Sequence, residues 1–96
     1  MKTLIQKFQC LLFSAALFLF FGAAAQPNGA ALYQQHCAQC HGADLLGGNA
    51  SSLINGVWQF GAGDSYVMRN IKHGIPHLGM PSYERSMTDA EIRAVV

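Results

Sequence analysis

The chain has 96 residues, of which 51% are hydrophobic, and a formal net charge of +1. The hydrophobic excess lies in the first 25 residues, whereas residues 26–96 carry four basic and five acidic side chains. This near balance of charge provides no basic surface of the kind that binds nucleic acid. A segment of about 70 residues buries little apolar surface, so a stable fold of that size usually depends on a disulfide, a metal or a bound group.

Residues 1–25 have the composition of a secretory signal peptide. Two lysines precede an apolar run from Leu11 to Ala25, which closes with three alanines in an A-x-A cleavage pattern. A retained membrane anchor is the alternative, but it needs about 20 apolar residues and this run is shorter. We therefore predict a cleavable signal peptide over residues 1–25, one domain over residues 26–96, and export to a bacterial periplasm.

The first predicted helix leads into the motif Cys37-Ala38-Gln39-Cys40-His41. Asn28 is the candidate N-cap, and the residues that follow it are compatible with a helix. C-x-x-C-H is the attachment pattern of c-type haem, because two thiols in one turn can add to the vinyl groups and the next residue brings an imidazole to the iron. The sequence thus predicts one haem c, bound covalently through Cys37 and Cys40, with His41 as an axial ligand.

Other uses of these cysteines have less support in the sequence. A zinc site needs a second ligand pair, and neither another Cys pair nor an H-x-x-x-H follows. A thioredoxin-type dithiol is expected next to a βαβ pattern, which is missing here. A chance adjacency of two cysteines and a histidine is the remaining alternative.

Two further helices are predicted after a glycine-rich loop that begins at Gly42 and lies beside the ligand. The second starts with Asp64 as N-cap and stops at Gly74, since its apolar residues recur at helical spacing. The third starts at a capping box formed by Thr88 and Glu91. Its apolar stripe is still running at Val96 without a stop signal, so we interpret the chain as truncated there, the alternative being a natural end.

The sixth coordination position of the iron has several candidates. Met80 lies in a loop with two prolines and two glycines, which fix the backbone direction and could present a thioether to a metal. Met68 and Met87 fall in or next to helices, where a methionine is more often core filler. His73 or His77 would instead give a bis-imidazole site. The residues alone leave these alternatives open.

Together, these motifs resemble the small class I c-type cytochromes, in particular the bacterial cytochrome c domains that accept electrons from dehydrogenases. The resemblance extends over nearly all of residues 26–96 and rests on five segments. They are Cys37 to Gly42, Asn55 to Trp58, Ile71 to Ile75, the Gly79-Met80-Pro81-Ser82-Tyr83 loop and Met87 to Ile92.

The resemblance implies an all-α, small class I cytochrome c fold with three or more helices around one covalent haem. The last helix would cross the first near Gly29 and Tyr33, and Met80 would be the distal ligand. Trp58 and Tyr83 would either fill the core or bind the haem by donating a hydrogen bond to a propionate, and the resemblance makes Trp58 the better donor candidate.

The function implied is one-electron transfer between redox proteins, with a dehydrogenase as donor and an oxidase or another cytochrome as acceptor. No carboxylate pair, activated nucleophile or phosphate loop suggests an independent catalytic site, so we do not expect an enzyme. The chain would meet a membrane only through its signal peptide. Two alternatives stay open: a haem relay domain of a larger dehydrogenase whose catalytic part lies beyond residue 96, and a haem-based sensor of small molecules.

One departure from the family concerns the proximal imidazole. Many members have a proline in the loop after C-x-x-C-H, and its carbonyl accepts a hydrogen bond from that imidazole. No proline occurs here between His41 and Ile75. The sequence therefore does not identify the group that accepts a hydrogen bond from the His41 imidazole.

Overall fold

The computed structural model describes Gly22 and residues 25–96, so the predicted signal peptide falls almost wholly outside the described residues. The described part is helical and confirms the predicted all-α fold class. None of its helices is long and apolar enough to cross a membrane. The elements are α1 (Gly29–His36), α2 (Ala38–His41), α3 (Asp64–His73), a 3-10 helix (Pro76–Leu78) and α4 (Asp89–Val95).

Helix α1 begins as the sequence predicts and stops immediately before the cysteine motif. The side chain of Asn28 accepts a hydrogen bond from the backbone N–H of Ala31 at 3.1 Å. Cys37, with φ −115°, separates α1 from α2, and its N–H donates to the Tyr33 carbonyl at 2.8 Å. The cysteine motif therefore forms a short helical turn of its own rather than the last turn of a continuous helix.

The start of α3 differs from the prediction by one residue. Gly63 is the N-cap, with φ 98°, and Asp64 is the first helical residue. The carboxylate of Asp64 still suits this place, since the amino end of a helix carries partial positive charge. Cap preferences favour Asp over Gly, which is why the sequence pattern pointed to the wrong neighbour. Gly74 ends the helix as predicted, with φ 72°.

Helix α4 begins at the predicted capping box and crosses α1. The Glu91 carboxylate accepts from the Thr88 N–H at 2.7 Å, and the Thr88 hydroxyl accepts from the Glu91 N–H at 3.2 Å. A Cβ atom on Gly29 would lie 1.9 Å from the carbonyl oxygen of Ala94. The two helices thus approach each other at the glycine, where the resemblance implies that they cross.

The apolar core lies between the helices and the loop that contains Met80. Ile71, Met87 and Ile92 form the buried cluster, and Ile92 is only 1% exposed. Met87 is therefore core filler, as its position predicted. Partly buried side chains surround the cluster: Leu32, Val67, Met68, Met80, Tyr83 and Val95.

Candidate haem site

The two cysteines of the motif are free thiols at the two ends of one helical turn. Cys37 is half-buried and Cys40 is exposed. The N–H groups of Cys40 and His41 both donate to the Cys37 carbonyl, at 3.2 and 3.0 Å. Burial raises the pKa of the Cys37 thiol, so this group stays protonated at neutral pH. Each thiol is available for a covalent bond to a bound group.

The imidazole of His41 is oriented by a backbone carbonyl. Its Nδ1 lies 2.9 Å from the carbonyl oxygen of Ser51. Because a carbonyl can only accept, Nδ1 carries the hydrogen and Nε2 keeps its lone pair for a metal. A histidine that ligates a metal commonly has its other nitrogen fixed in this way. Ser51 is the acceptor that the sequence left unassigned, and no local pattern could reveal it, since the contact is to backbone ten residues away.

The loop after the motif folds back over the C-terminal end of α2. The Cys40 carbonyl accepts from the Ala50 N–H at 2.9 Å, and the His41 carbonyl accepts from the Gly47 N–H at 2.7 Å. Gly47 has φ 102°, a conformation that glycine adopts readily. These bonds satisfy the free carbonyls of the short helix and bring Ser51 next to His41.

Two tyrosine hydroxyls hold the carbonyls on either side of the motif. The hydroxyl of Tyr83 donates to the His36 carbonyl at 2.9 Å, and that of Tyr33 donates to the Gly42 carbonyl at 2.7 Å. Burial raises the pKa of both phenols, which therefore keep their hydrogens at neutral pH. Tyr33 was predicted only to pack against the last helix, because a hydrogen bond to a distant carbonyl leaves no sequence signal.

The segment of residues 74–83, here called the Met80 loop, is docked on the C-terminal end of α3. Met80 and Ile75 pair through two backbone hydrogen bonds, of 2.9 and 3.3 Å. The Ser82 hydroxyl donates to the Lys72 carbonyl at 2.7 Å. A Cβ on Gly74 would lie 2.8 Å from the Met80 carbonyl oxygen, so only glycine allows this close approach. The backbone that carries the thioether is thus fixed from both sides.

The other candidate ligands of the iron lie either at the buried cluster or on the surface. Met68 packs against the buried cluster from α3, and Met87 is 5% exposed within it. His73 is exposed, with Nδ1 4.0 Å from a carboxylate oxygen of Glu84. His77 is also exposed, and its ring packs edge-on against a phenylalanine ring at 6.3 Å.

Several large apolar side chains between residues 46 and 78 are exposed. Trp58 is 42% exposed and Val57 is 64% exposed. Leu46, Ile54, Phe60 and Leu78 are exposed as well.

The donor set also fits a haem c: two thiols, an imidazole with a free Nε2 and a thioether in a fixed loop. Within Gly22 and residues 25–96, no three His, Cys, Asp or Glu side chains cluster as possible ligands of a metal ion.

Comparison with known proteins identifies a cytochrome c family and several similar proteins. Residues 24–96 match the family described as cytochrome c oxidase, cbb3-type, subunit III. The cbb3-type oxidase subunit CcoP of Rhodobacter capsulatus is 49% identical over 49 residues, which are 49% of this chain and 16% of that subunit. The dihydro-heme d1 dehydrogenase of Pseudomonas aeruginosa is 36% identical over 88% of this chain and 18% of its own length.

A solved structure shows the same fold. The c-type cytochrome KustC0563 superposes with a TM-score of 0.62 and 28% sequence identity, over 71% of this chain and 88% of that cytochrome. Its similarity thus covers most of a small cytochrome. By contrast, the chain spans less than a fifth of the length of the oxidase subunit and of the dehydrogenase.

Proposed function

We propose that this chain, which belongs to the cytochrome c family of cbb3-type oxidase subunit III, carries single electrons through a covalent haem c held by Cys37, Cys40 and His41. Membership of the family makes the chain an electron-transfer module. The observation that carries the proposal is the bond from His41 Nδ1 to the Ser51 carbonyl, which leaves Nε2 for the iron. A bound haem c supplies a one-electron iron couple. The chain's own residues fix the imidazole and dock the Met80 loop on α3.

Covalent attachment is tested by extraction of the haem. We expect acid acetone to leave haem on the purified wild-type protein, because thioether bonds survive that treatment. The Cys37→Ser/Cys40→Ser double variant should lose its haem under the same conditions. Full extraction of haem from the wild-type protein would contradict the proposal.

For the distal position we propose Met80, and Met68 provides a matched control. Both methionines are partly buried against the same cluster, but only Met80 lies in the docked loop. We expect Met80→Ala to keep the haem, to become high-spin or weakly ligated, and to have a lower reduction potential, since a thioether ligand raises the potential. Met68→Ala should retain the low-spin spectrum. The opposite pattern, or loss of the spectrum in His73→Ala or His77→Ala, would reject Met80.

Trp58 is the residue that we propose as a hydrogen-bond donor to a haem propionate. Trp58 is 42% exposed, whereas the single hydroxyl hydrogen of Tyr83 is already donated to the His36 carbonyl. Trp58→Phe removes the donor but keeps an aromatic ring. We expect a lower reduction potential, because an uncompensated propionate charge favours the oxidised iron. An unchanged potential would assign Trp58 to packing alone.

We also propose that residues 1–25 direct export and are removed, so that the mature domain covers residues 26–96 in the periplasm. Sequencing the N-terminus of periplasmic protein should give Gln26 first. The electron donor and acceptor are proposed to be a dehydrogenase and an oxidase or second cytochrome. Protein retained in the cytoplasm with residues 1–25 intact would contradict this proposal.

The relay-domain alternative is favoured by one specific observation. The dehydrogenase relative aligns with 88% of this chain but only 18% of its own length. If the gene continues in frame beyond codon 96 into a catalytic domain, the haem would pass electrons within one polypeptide. The sensor alternative needs an open sixth position, so a low-spin spectrum that depends on Met80 would rule it out.

A further inference from the structure

We propose that Tyr33 and Tyr83 are positioning residues that hold the two ends of the haem-attachment turn, and that Tyr83 also fastens this turn to the Met80 loop. The inference rests on the proposed function and extends it to two side chains outside the C-x-x-C-H motif. Both act through backbone carbonyls, so neither needs to touch the haem.

The first step concerns the carbonyl of His36. In a continuous helix this carbonyl would accept from the N–H of Cys40. The break at Cys37 prevents that, because the Cys40 N–H donates to the Cys37 carbonyl at 3.2 Å instead. The Tyr83 hydroxyl occupies the place of the missing donor at 2.9 Å. The side chain thus satisfies a carbonyl that the geometry of the turn leaves without its helical partner.

At the other end of the turn, the Tyr33 hydroxyl donates to the Gly42 carbonyl at 2.7 Å. Gly42 directly follows His41, and its own N–H closes α2 by donating to the Ala38 carbonyl at 2.8 Å. Tyr33 is one of the few buried residues within residues 25–96, so its ring is fixed by packing. The residue after the proximal histidine is therefore held by a rigid side chain from α1.

Tyr83 differs from Tyr33 because it belongs to the segment that carries the distal ligand. Its backbone N–H donates to the Ile71 carbonyl at 3.2 Å, which anchors it to α3. Its hydroxyl bridges 47 positions in sequence to His36. One residue thus connects α3, the Met80 loop and the attachment turn, and sets how far the loop stands from the turn.

The substitution that tests this role is Tyr→Phe, since it removes only the hydroxyl. In Tyr83→Phe the ring can keep its edge-on contact with His36, whose centroid lies 5.9 Å away. The third tyrosine of the chain is the matched control. Tyr66 is exposed, with the guanidinium carbon of Arg69 5.0 Å above its ring, a contact that phenylalanine would retain.

The experiment titrates ferric holoprotein with imidazole, which competes with the thioether for the iron. A hydrogen bond contributes a net stabilisation that corresponds to roughly a threefold to tenfold change in an equilibrium constant. We expect the apparent Kd for imidazole to fall by about that factor in Tyr83→Phe, because the loop opens more easily. Tyr66→Phe should match the wild type.

Tyr33→Phe should act on the turn and not on the loop. We expect an imidazole Kd like that of the wild type, but amide hydrogen exchange at His41 and Gly42 about threefold to tenfold faster. A readout without substitution comes from NMR of the wild-type holoprotein. Slowly exchanging hydroxyl protons should be visible for Tyr33 and Tyr83 and absent for Tyr66.

The outcomes separate this inference from the proposed function. If the wild type holds covalent haem with Met80 ligation but Tyr83→Phe binds imidazole as the wild type does, the inference is overturned and the proposed function stands. Rapid hydroxyl exchange at both Tyr33 and Tyr83 would overturn it as well. Wild-type protein without covalent haem would overturn both proposals.

Discussion

The helical part of the molecule and the loop of residues 42–63 are ordered by different forces. The helices and the Met80 loop share the buried cluster of Ile71, Met87 and Ile92. The loop of residues 42–63 contains no buried residue, and several of its apolar side chains are exposed. Its course is set by backbone hydrogen bonds and by glycines with positive φ, such as Gly47.

The two regions of the molecule therefore have different roles. Burial stabilises the helices against one another, whereas the loop of residues 42–63 delivers one carbonyl, that of Ser51, to His41 and has exposed apolar side chains. The helical part should therefore be sensitive to lost volume. The loop should be sensitive to changes in backbone conformation.

The largest effect should follow from a cavity in the helical core. Ile92→Ala removes three carbons from a side chain that is 1% exposed, and we expect the free energy of unfolding of the holoprotein to fall by about 4 kcal/mol. Ile92→Val, which removes one carbon, should cost only about 1 kcal/mol. Denaturant unfolding measures both. Equal small losses would show that burial does not dominate the helical part.

The crossing of α1 and α4 offers a second test, by adding volume instead of removing it. Gly29→Ala improves helix propensity, but the new Cβ would lie 1.9 Å from the Ala94 carbonyl oxygen. The helices would have to separate, at a cost of about 3 kcal/mol in unfolding free energy. Ala30→Gly tests the propensity alone and should cost about 1 kcal/mol. A Gly29→Ala variant as stable as the wild type would mean that this contact is not tight.

The same division explains what the sequence could predict. Caps and periodicity act between residues three or four positions apart, so the starts of α1 and α4 and the end of α3 were predicted correctly. The motif also placed the cysteines and His41 on one turn. By contrast, the Ser51 carbonyl and the Tyr33 and Tyr83 hydrogen bonds depend on tertiary contacts between backbone and distant side chains. Such contacts leave no residue pattern, and only the structure shows them.

A third test concerns the backbone of the loop of residues 42–63. Gly47→Ala places a Cβ at φ 102° and 3.0 Å from the Ser52 nitrogen. We expect a loss of about 2 kcal/mol in unfolding free energy, from strain and crowding together. Gly56→Ala is the matched control, since it has φ 77° but open space around it, and it should cost about 1 kcal/mol. Equal losses would show that positive φ, and not the close fold-back of the loop, limits Gly47.

The smallest effect should come from the exposed ion pair between α3 and α4, which lies outside both the core and the loop. Lys72 Nζ lies 2.8 Å from a carboxylate oxygen of Asp89. Their hydrogen bond lowers the pKa of Asp89 below 3.8 and raises the pKa of Lys72 above 10.5. The stability that the pair contributes is therefore present between those values. It is lost as pH falls through the lowered pKa of Asp89, or rises through the raised pKa of Lys72.

Lys72→Met removes the pair but leaves Asp89 in the first turn of α4, where a carboxylate suits the helix dipole. We expect the free energy of unfolding of the variant to be slightly lower than that of the wild type. This difference should be constant near neutral pH and should disappear in acid. Salt should reduce it, since exposed charges are screened. In the Asp89→Asn background, Lys72→Met should produce a much smaller pH-dependent difference in acid, because Glu84 is then the remaining carboxylate that acts on Lys72. A difference that persists below the pKa of Asp89 would show that Lys72 stabilises the protein through the packing of its aliphatic stem. The buried core would then extend to this end of α3.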